Sequence, residues 1–221
     1  MTYKPTIFPT LKGKTWAKVD LGNYAVEHFP NNKTENKLLD SDFCDQWVKK
    51  IADNLGVDFT WGGHFEDRKH LWKGYYDNSE KVTHLGIDYN VPSGTPVSAP
   101  RACEVVHSWA DTSTTNGWGG RLILKLDNPW ENADYLILGH LAHENLPKEG
   151  TRFEVGDIIT ITGNPSENGG WFPHLHVQCV HEKFYQHHIN DLRLLDGYYL
   201  VEGNPYDLAP SPKYLMGTDF H

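Results

Sequence analysis

The sequence predicts a mostly β protein: an antiparallel sheet folded into an open barrel or sandwich, with an N-terminal arm holding one helix and an irregular C-terminal tail. Two observations lead there. From about residue 82 the chain breaks into short apolar runs, each bounded by Gly, Pro, Asn or Asp. Little helical periodicity lies between those runs, so the strands pair with one another and not through helical crossovers. At 221 residues the chain has room for one large domain with elaborations.

Residues 1–60 form the arm. Pro5 and Pro9 punctuate its start, and a polar run extends from Pro30 to Lys37. Asp42 reads as an N-cap; Phe43, Trp47, Ile51 and Leu55 then recur at i, i+4, and Gly56 marks a stop. An amphipathic helix over 43–55 follows. Residues 61–180 form the β domain, with strands over 95–100, 103–109, 121–126, 135–141, 157–162 and 174–180. Residues 181–221, with Pro205, Pro210 and Pro212, read as a tail packed on that domain.

Composition excludes several function classes. Lys and Arg total 20 against 29 Asp and Glu, a net charge of -9, which argues against nucleic acid because phosphate neutralisation needs clustered cations. No run approaches the roughly 18 apolar residues of a membrane span. MTYKPTIFPTLKGKTWAKVD has no apolar segment of the kind a secretory signal needs, so a cytoplasmic location is expected. Cys44, Cys103 and Cys179 lie far apart without a CxxC, which disfavours a disulfide framework and a thiolate zinc site. The 13 histidines remain, and they direct attention to metal binding through imidazole.

The helical HExxH signature is absent: His143-Glu144 meets Pro147 where His is needed, and His181-Glu182 meets Tyr185. A His-x-x-x-Asp pair by itself means little, since 13 His and 17 Asp in 221 residues give about one by chance. There are three: His84/Asp88, His107/Asp111 and His187/Asp191. His107/Asp111 runs into a polar loop and His187/Asp191 sits in the tail, so both read as solvated pairs. His84/Asp88 differs. Strand alternation puts His84, Gly86 and Asp88 on one face and Leu85 and Ile87 on the other, with Gly86 leaving space for a metal or substrate. Pro173-His174-Leu175-His176-Val177 holds the one His-x-His, whose imidazoles share a face roughly 6.5 Å apart. One can ligate a metal while the other faces the adjacent substrate site. Leu138-Gly139-His140-Leu141 ends a strongly apolar strand. Neutral imidazoles and a carboxylate suit zinc, one per chain, with a fourth position open to water.

In this order and spacing, HLGID, GHL and PHLHV resemble the motifs of the lysostaphin/LytM-type zinc metallopeptidases. The similarity extends over roughly residues 61–180 and includes VPSGTPVSAP, which matches a habitual turn of that family. Trp61-Gly62-Gly63-His64-Phe65-Glu66-Asp67-Arg68 is similar to a stretch found in a subset of non-secreted relatives. The resemblance implies a sheet with a long groove over the metal, His84, Asp88 and His176 as zinc ligands, and His140 and His174 as a non-ligating catalytic pair. It leaves open which of the pair is the base. It also implies hydrolysis of a peptide bond in a peptide or peptidoglycan fragment, with neither nucleic acid nor membrane as partner. Leu138 departs from the family, which often has tyrosine there.

His64, Glu66 and Arg68 are candidates for recognising a charged substrate terminus at one end of the groove; a Glu-Arg surface pair beside a Gly-rich turn is the alternative. Trp118 and Trp171, each next to a Gly, are read either as groove walls stacking on substrate or as core packing. The rival to the enzyme is a non-catalytic metal-binding or regulatory module of the same fold. A metal hydrolase acting on a non-peptide amide is a third reading.

Overall fold

The computed structural model describes residues 6–30, 36–74, 82–112, 117–130, 132–192, 195–199 and 209–212. The described strands are β1 (Trp16–Val19), β2 (Phe59–Gly62), β3 (Thr83–His84), β4 (Ile87–Asn90), β5 (Pro96–Ser98), β6 (Cys103–Ala110), β7 (Gly120–Trp130), β8 (Ala133–Leu141), β9 (Arg152–Phe153), β10 (Ile158–Ile161), β11 (Leu175–Val180) and β12 (Tyr198–Tyr199). Eight form one sheet in the order β1-β2-β4-β11-β8-β7-β6-β9, while β10 pairs with β5 and β12 with β3. The protein is mostly β, as the apolar runs predict, and the large sheet stays open. It is mixed where a purely antiparallel sheet was expected: β1 lies parallel to β2, and the remaining neighbours run antiparallel.

Period-2 alternation sorts the strands between two layers. Leu122, Leu124, Leu136, Leu138, Leu175, Val177 and Cys179 enter the main core with Ile87 and Tyr89. Ile123, Tyr135, Ile137 and Val180 point the other way, toward Phe184 and Tyr185 of α3 (Glu182–His187). Burial on both faces makes β7 and β8 read as continuous apolar runs instead of alternating ones.

The helix expected at 43–55 is α2 (Ser41–Leu55), preceded by α1 (Leu21–His28). Its cap is Asp40, not Asp42: the Asp40 carboxylate accepts the Phe43 amide at 2.7 Å, two residues upstream of the expected position. Gly56 ends the helix in the left-handed region at φ 67°. Cys44, Trp47, Val48, Ile51 and Ala52 are buried, whereas Leu55 is 44% exposed, so the apolar stripe is rotated away from Leu55. This stripe meets Leu71, Trp72, Trp171 and Phe172, and thereby fixes one wall of the site described below.

Segments at both ends of the chain join the sheet framework. Trp16–Val19 is an edge strand, anchored where Asp58 accepts the Thr15 amide at 2.8 Å and the Lys14 ammonium at 2.9 Å. Tyr198 pairs with His84 in the β12–β3 ribbon. The polar run at 31–35, the loop at 113–116 and Pro205 lie outside the described residues. All three cysteines are free and buried. No described helix is long and apolar enough to cross a membrane.

Candidate metal centre

Alternation that sends Ile87, Tyr89, Leu175 and Val177 into the main core sends Asp88, His174, His176 and Gln178 to the opposite face. The β4–β11 register sets His176 directly across from Asp88, and the β11–β8 register sets Gly139 across from His176 on its other side. His84 ends β3, four residues before Asp88, and both side chains face the same cluster.

His84, Asp88 and His176 bring one ligand-type atom each within 4.8 Å of one another, all buried. His84 Nε2 lies 3.0 Å from His176 Nδ1 and 3.4 Å from Asp88 Oδ1, which is 3.0 Å from His176 Nδ1. The outer hydrogen bonds of both rings fix their tautomers. His84 donates from Nδ1 to the Gly63 carbonyl at 3.0 Å. His176 donates from Nε2 to Gln178 Oε1 at 3.2 Å, and Gln178 is oriented because its amide nitrogen donates to the Asp196 carbonyl. Two imidazole lone pairs therefore face each other and a carboxylate oxygen. Such an arrangement is repulsive without a cation, and its donor set fits zinc. Burial and then the Arg68 charge push His84 down to about 3, so the ring is neutral, as a ligand must be. Burial alone would raise the Asp88 carboxyl, but the Arg68 guanidinium beside it outweighs that and holds it well below the usual carboxylate range.

Gly86 serves the site differently from the sequence expectation. The space it leaves holds the His176 ring itself: a Cβ there would meet Cε1 and Nε2 at 2.5 Å. At Gly63, φ is 105° and a Cβ would lie 2.6 Å from both His84 Nδ1 and Arg68 Nη2, so the backbone passes close to two site groups.

The stretch from His64 to Arg68 reaches the site, but from behind the ligands. Arg68 is 1% exposed; its Nη1 donates to Asp88 Oδ2 at 2.6 Å and to the Tyr198 hydroxyl at 3.2 Å, and its Nε to Glu66 Oε1 at 3.4 Å. That geometry lets Arg68 orient Asp88 so that Oδ1 faces the histidines, and Arg68 is also among the residues lining the pocket over the site. Glu66 also accepts the Gly22 amide at 2.5 Å, and burial raises its carboxyl even though Arg68 opposes the shift. At 5% exposure it is no surface pair with Arg68. The His64 ring bonds the Ala209 carbonyl at 3.1 Å.

His140 and His174 stand beside the cluster with ring centroids 4.2 Å apart. Strict alternation would aim His140 into the main core with Leu136 and Leu138. Its φ of 64° turns the backbone and swings the ring toward the site. Both rings donate from Nδ1 to backbone carbonyls, His140 to Asn168 at 2.7 Å and His174 to Phe172 at 2.8 Å. Each is left with an Nε2 lone pair, the form of a base. Burial lowers both below the usual histidine value, and neighbouring His174 pushes His140 further down.

A pocket lies over these groups, walled by Trp72, Trp118, Trp171 and Tyr198. Trp118 and Trp171 thus line the groove, and Trp171 also packs against Trp72 and donates from Nε1 to the Leu38 carbonyl at 2.8 Å. Three contributing side chains went unread in the sequence: Trp72, Gln178 and Tyr198. Gln178 had a usable signal, because it shares the face of His174 and His176 by period 2. Trp72 and Tyr198 reach the site only through tertiary packing and carry no local mark. The other two His-x-x-x-Asp pairs stay apart from the cluster, with His107 Nδ1 3.5 Å from a Glu149 carboxylate oxygen.

Residues 82–190 match Peptidase family M23. No curated protein matches the chain. Among solved structures, a zinc-containing peptidase from Vibrio cholerae aligns at 24% identity over 44% of this chain and 26% of its own, with a TM-score of 0.36. LytU aligns at 32% identity over 44% of this chain and 61% of its own, TM-score 0.36. The catalytic domain of lysostaphin from Staphylococcus simulans aligns at 20% identity over 61% of this chain and 80% of its own, TM-score 0.38. The chain thus spans about a quarter of the first of these proteins and three-fifths of the second.

Proposed function

On the premise that residues 82–190 are a Peptidase family M23 domain, we propose that the protein is a zinc-dependent peptidase acting on peptides, those derived from peptidoglycan among them. The observation that carries this reading is the convergence of three lone pairs on one point beside two further imidazoles, each holding an Nε2 lone pair. His84 Nε2, Asp88 Oδ1 and His176 Nδ1 would hold the metal. When bound, zinc supplies a Lewis acid that polarises the scissile carbonyl and lowers the pKa of water.

The chain's own residues then handle protons and position. Nε2 of His140 or of His174 takes the proton of the attacking water; the resulting imidazolium can return it to the departing amine. The carbonyls of Asn168 and Phe172 keep both rings in the tautomer that can accept, and they stabilise the imidazolium once it forms. Arg68 holds Asp88 in place throughout, and the tryptophan walls limit water around the reacting groups.

A metal-binding module without catalysis would need the three ligands but not two more imidazoles with fixed tautomers, and this favours the enzyme. The test is hydrolysis of a peptide library by the zinc-loaded protein, read by mass spectrometry. Cleavage should vanish after dialysis against a chelator and return with zinc. Cleavage unaffected by chelation, or none from the zinc-loaded protein, would contradict the proposal.

A further inference from the structure

We propose that the site is a well that takes the end of a short peptide, not the middle of a long one; this rests on the hydrolytic reading above. The rim can be traced as a closed circuit of contacts among the described residues. Trp171 and Trp72 pack with ring centroids 4.5 Å apart and their planes tilted by 49°. Trp72 Nε1 donates to the Tyr198 hydroxyl at 2.8 Å. Gly197, next in the chain, lies so close to Trp118 that a Cβ would sit 3.3 Å from its ring. Gly117 then meets Gly169, where a Cβ would fall 2.0 Å from the Gly117 carbonyl oxygen. The backbone through Gly170 returns to Trp171.

His84, Asp88, His140, His174 and His176 all line the well. An extended peptide crossing the site would need two gaps in the rim, because its backbone advances about 3.3 Å per residue and leaves on both sides. Every link in the circuit is a hydrogen bond, a pair of packed rings, a covalent neighbour or a close backbone approach, so the described residues leave no gap in it, and on this proposal a chain enters by an end.

Part of the rim lies outside the segment matched to the family. Trp72 precedes the segment matched to the family, and Gly197 and Tyr198 follow it. The strap they form is pinned. Leu85 donates to the Gly197 carbonyl at 2.8 Å. Arg121, stacked on Trp109 and Trp118, donates to the carbonyls of Leu195 at 3.1 Å and Leu192 at 2.9 Å. Burial lowers the Arg121 guanidinium to about 10, still protonated at neutral pH.

The zinc-loaded full chain is given two randomised libraries: tetrapeptides with free ends, and the same sequences flanked by five residues on each side and capped at both ends. N-acetylated and C-amidated tetrapeptides form two further arms, which identify the end that enters. Cleavage of free-ended tetrapeptides at least about tenfold faster than internal cleavage of the long set is expected, with one of the two caps abolishing the advantage. Trp72→Ala, and independently Tyr198→Phe, should narrow the gap by loosening the rim. Internal cleavage of the long capped set as fast as that of the tetrapeptides overturns the inference and leaves the hydrolytic reading standing. No cleavage of any set by zinc-loaded protein overturns both.

Discussion

Replacing His140 or His174 by Ala is expected to lower kcat by about 10²-fold or more, the usual scale for a positioned acid–base group, while leaving the bound metal in place. Both rings present Nε2 as an acceptor because both give their Nδ1 proton to a carbonyl. Since they lie 4.2 Å apart and share one proton-handling task, the double variant should fall little below the worse single one. Burial holds both below their ordinary value, so the base form is present at neutral pH. The acid limb of the kcat/KM profile should therefore lie below about 6.5, the ordinary histidine value, with activity lost as pH falls through it. Kinetics on the two variants and a pH profile of the parent check this. Full activity in either variant would remove that histidine from the mechanism.

Arg68→Met should be the most destabilising single change at the site. Arg68 lies between Glu66 and Asp88, all three at 5% exposure or less. Without the guanidinium, Asp88 Oδ2 and Glu66 Oε1 lose their charged donor in a buried setting, and breaking one side of a buried pair typically costs about 3–5 kcal/mol. Among the described residues Glu66 Oε2 has no hydrogen-bond partner, so Glu66→Gln added to Arg68→Met should recover part of the loss. Thermal unfolding of metal-free protein measures the effect. Zinc affinity, by competition with a chelator, should weaken about 10- to 100-fold, because Asp88 is no longer held toward the histidines. Unchanged melting and affinity would mean that Arg68 neither balances charge nor orients the ligand.

The parts of this structure legible in the sequence are those that local pattern determines. Period-2 runs locate β5–β8, β10 and β11, and the same rule puts Asp88 on a face with His84, and His176 on a face with His174, before any pairing is known. Gly86 singled out His84/Asp88, the pair the fold brings together with His176, although what fills its space is an imidazole. The helix was legible to within a turn, and its cap was misplaced because Asp40 and Asp42 are equally good caps by residue type. The backbone turn at His140 has no sequence signature, since histidine tolerates the left-handed region without requiring it. The parallel β1–β2 pairing and the two-residue β12 ribbon were beyond reach. Short strands of that kind carry no periodicity, and their partners lie 43 and more residues away in the chain. For the same reason Arg68 could be noticed as unusual while its partners, Asp88 and Tyr198, could not be named.

Zinc stoichiometry tests the central claim most directly. The chain is purified without added metal, equilibrated with zinc, freed of excess, and assayed as the parent, His84→Ala and His174→Ala. One zinc per chain in the parent, none in His84→Ala and one in His174→Ala would establish that His84 belongs to the metal set and that His174 stands outside it. A parent that takes up no zinc, or a His84→Ala variant that still holds one, would contradict the account.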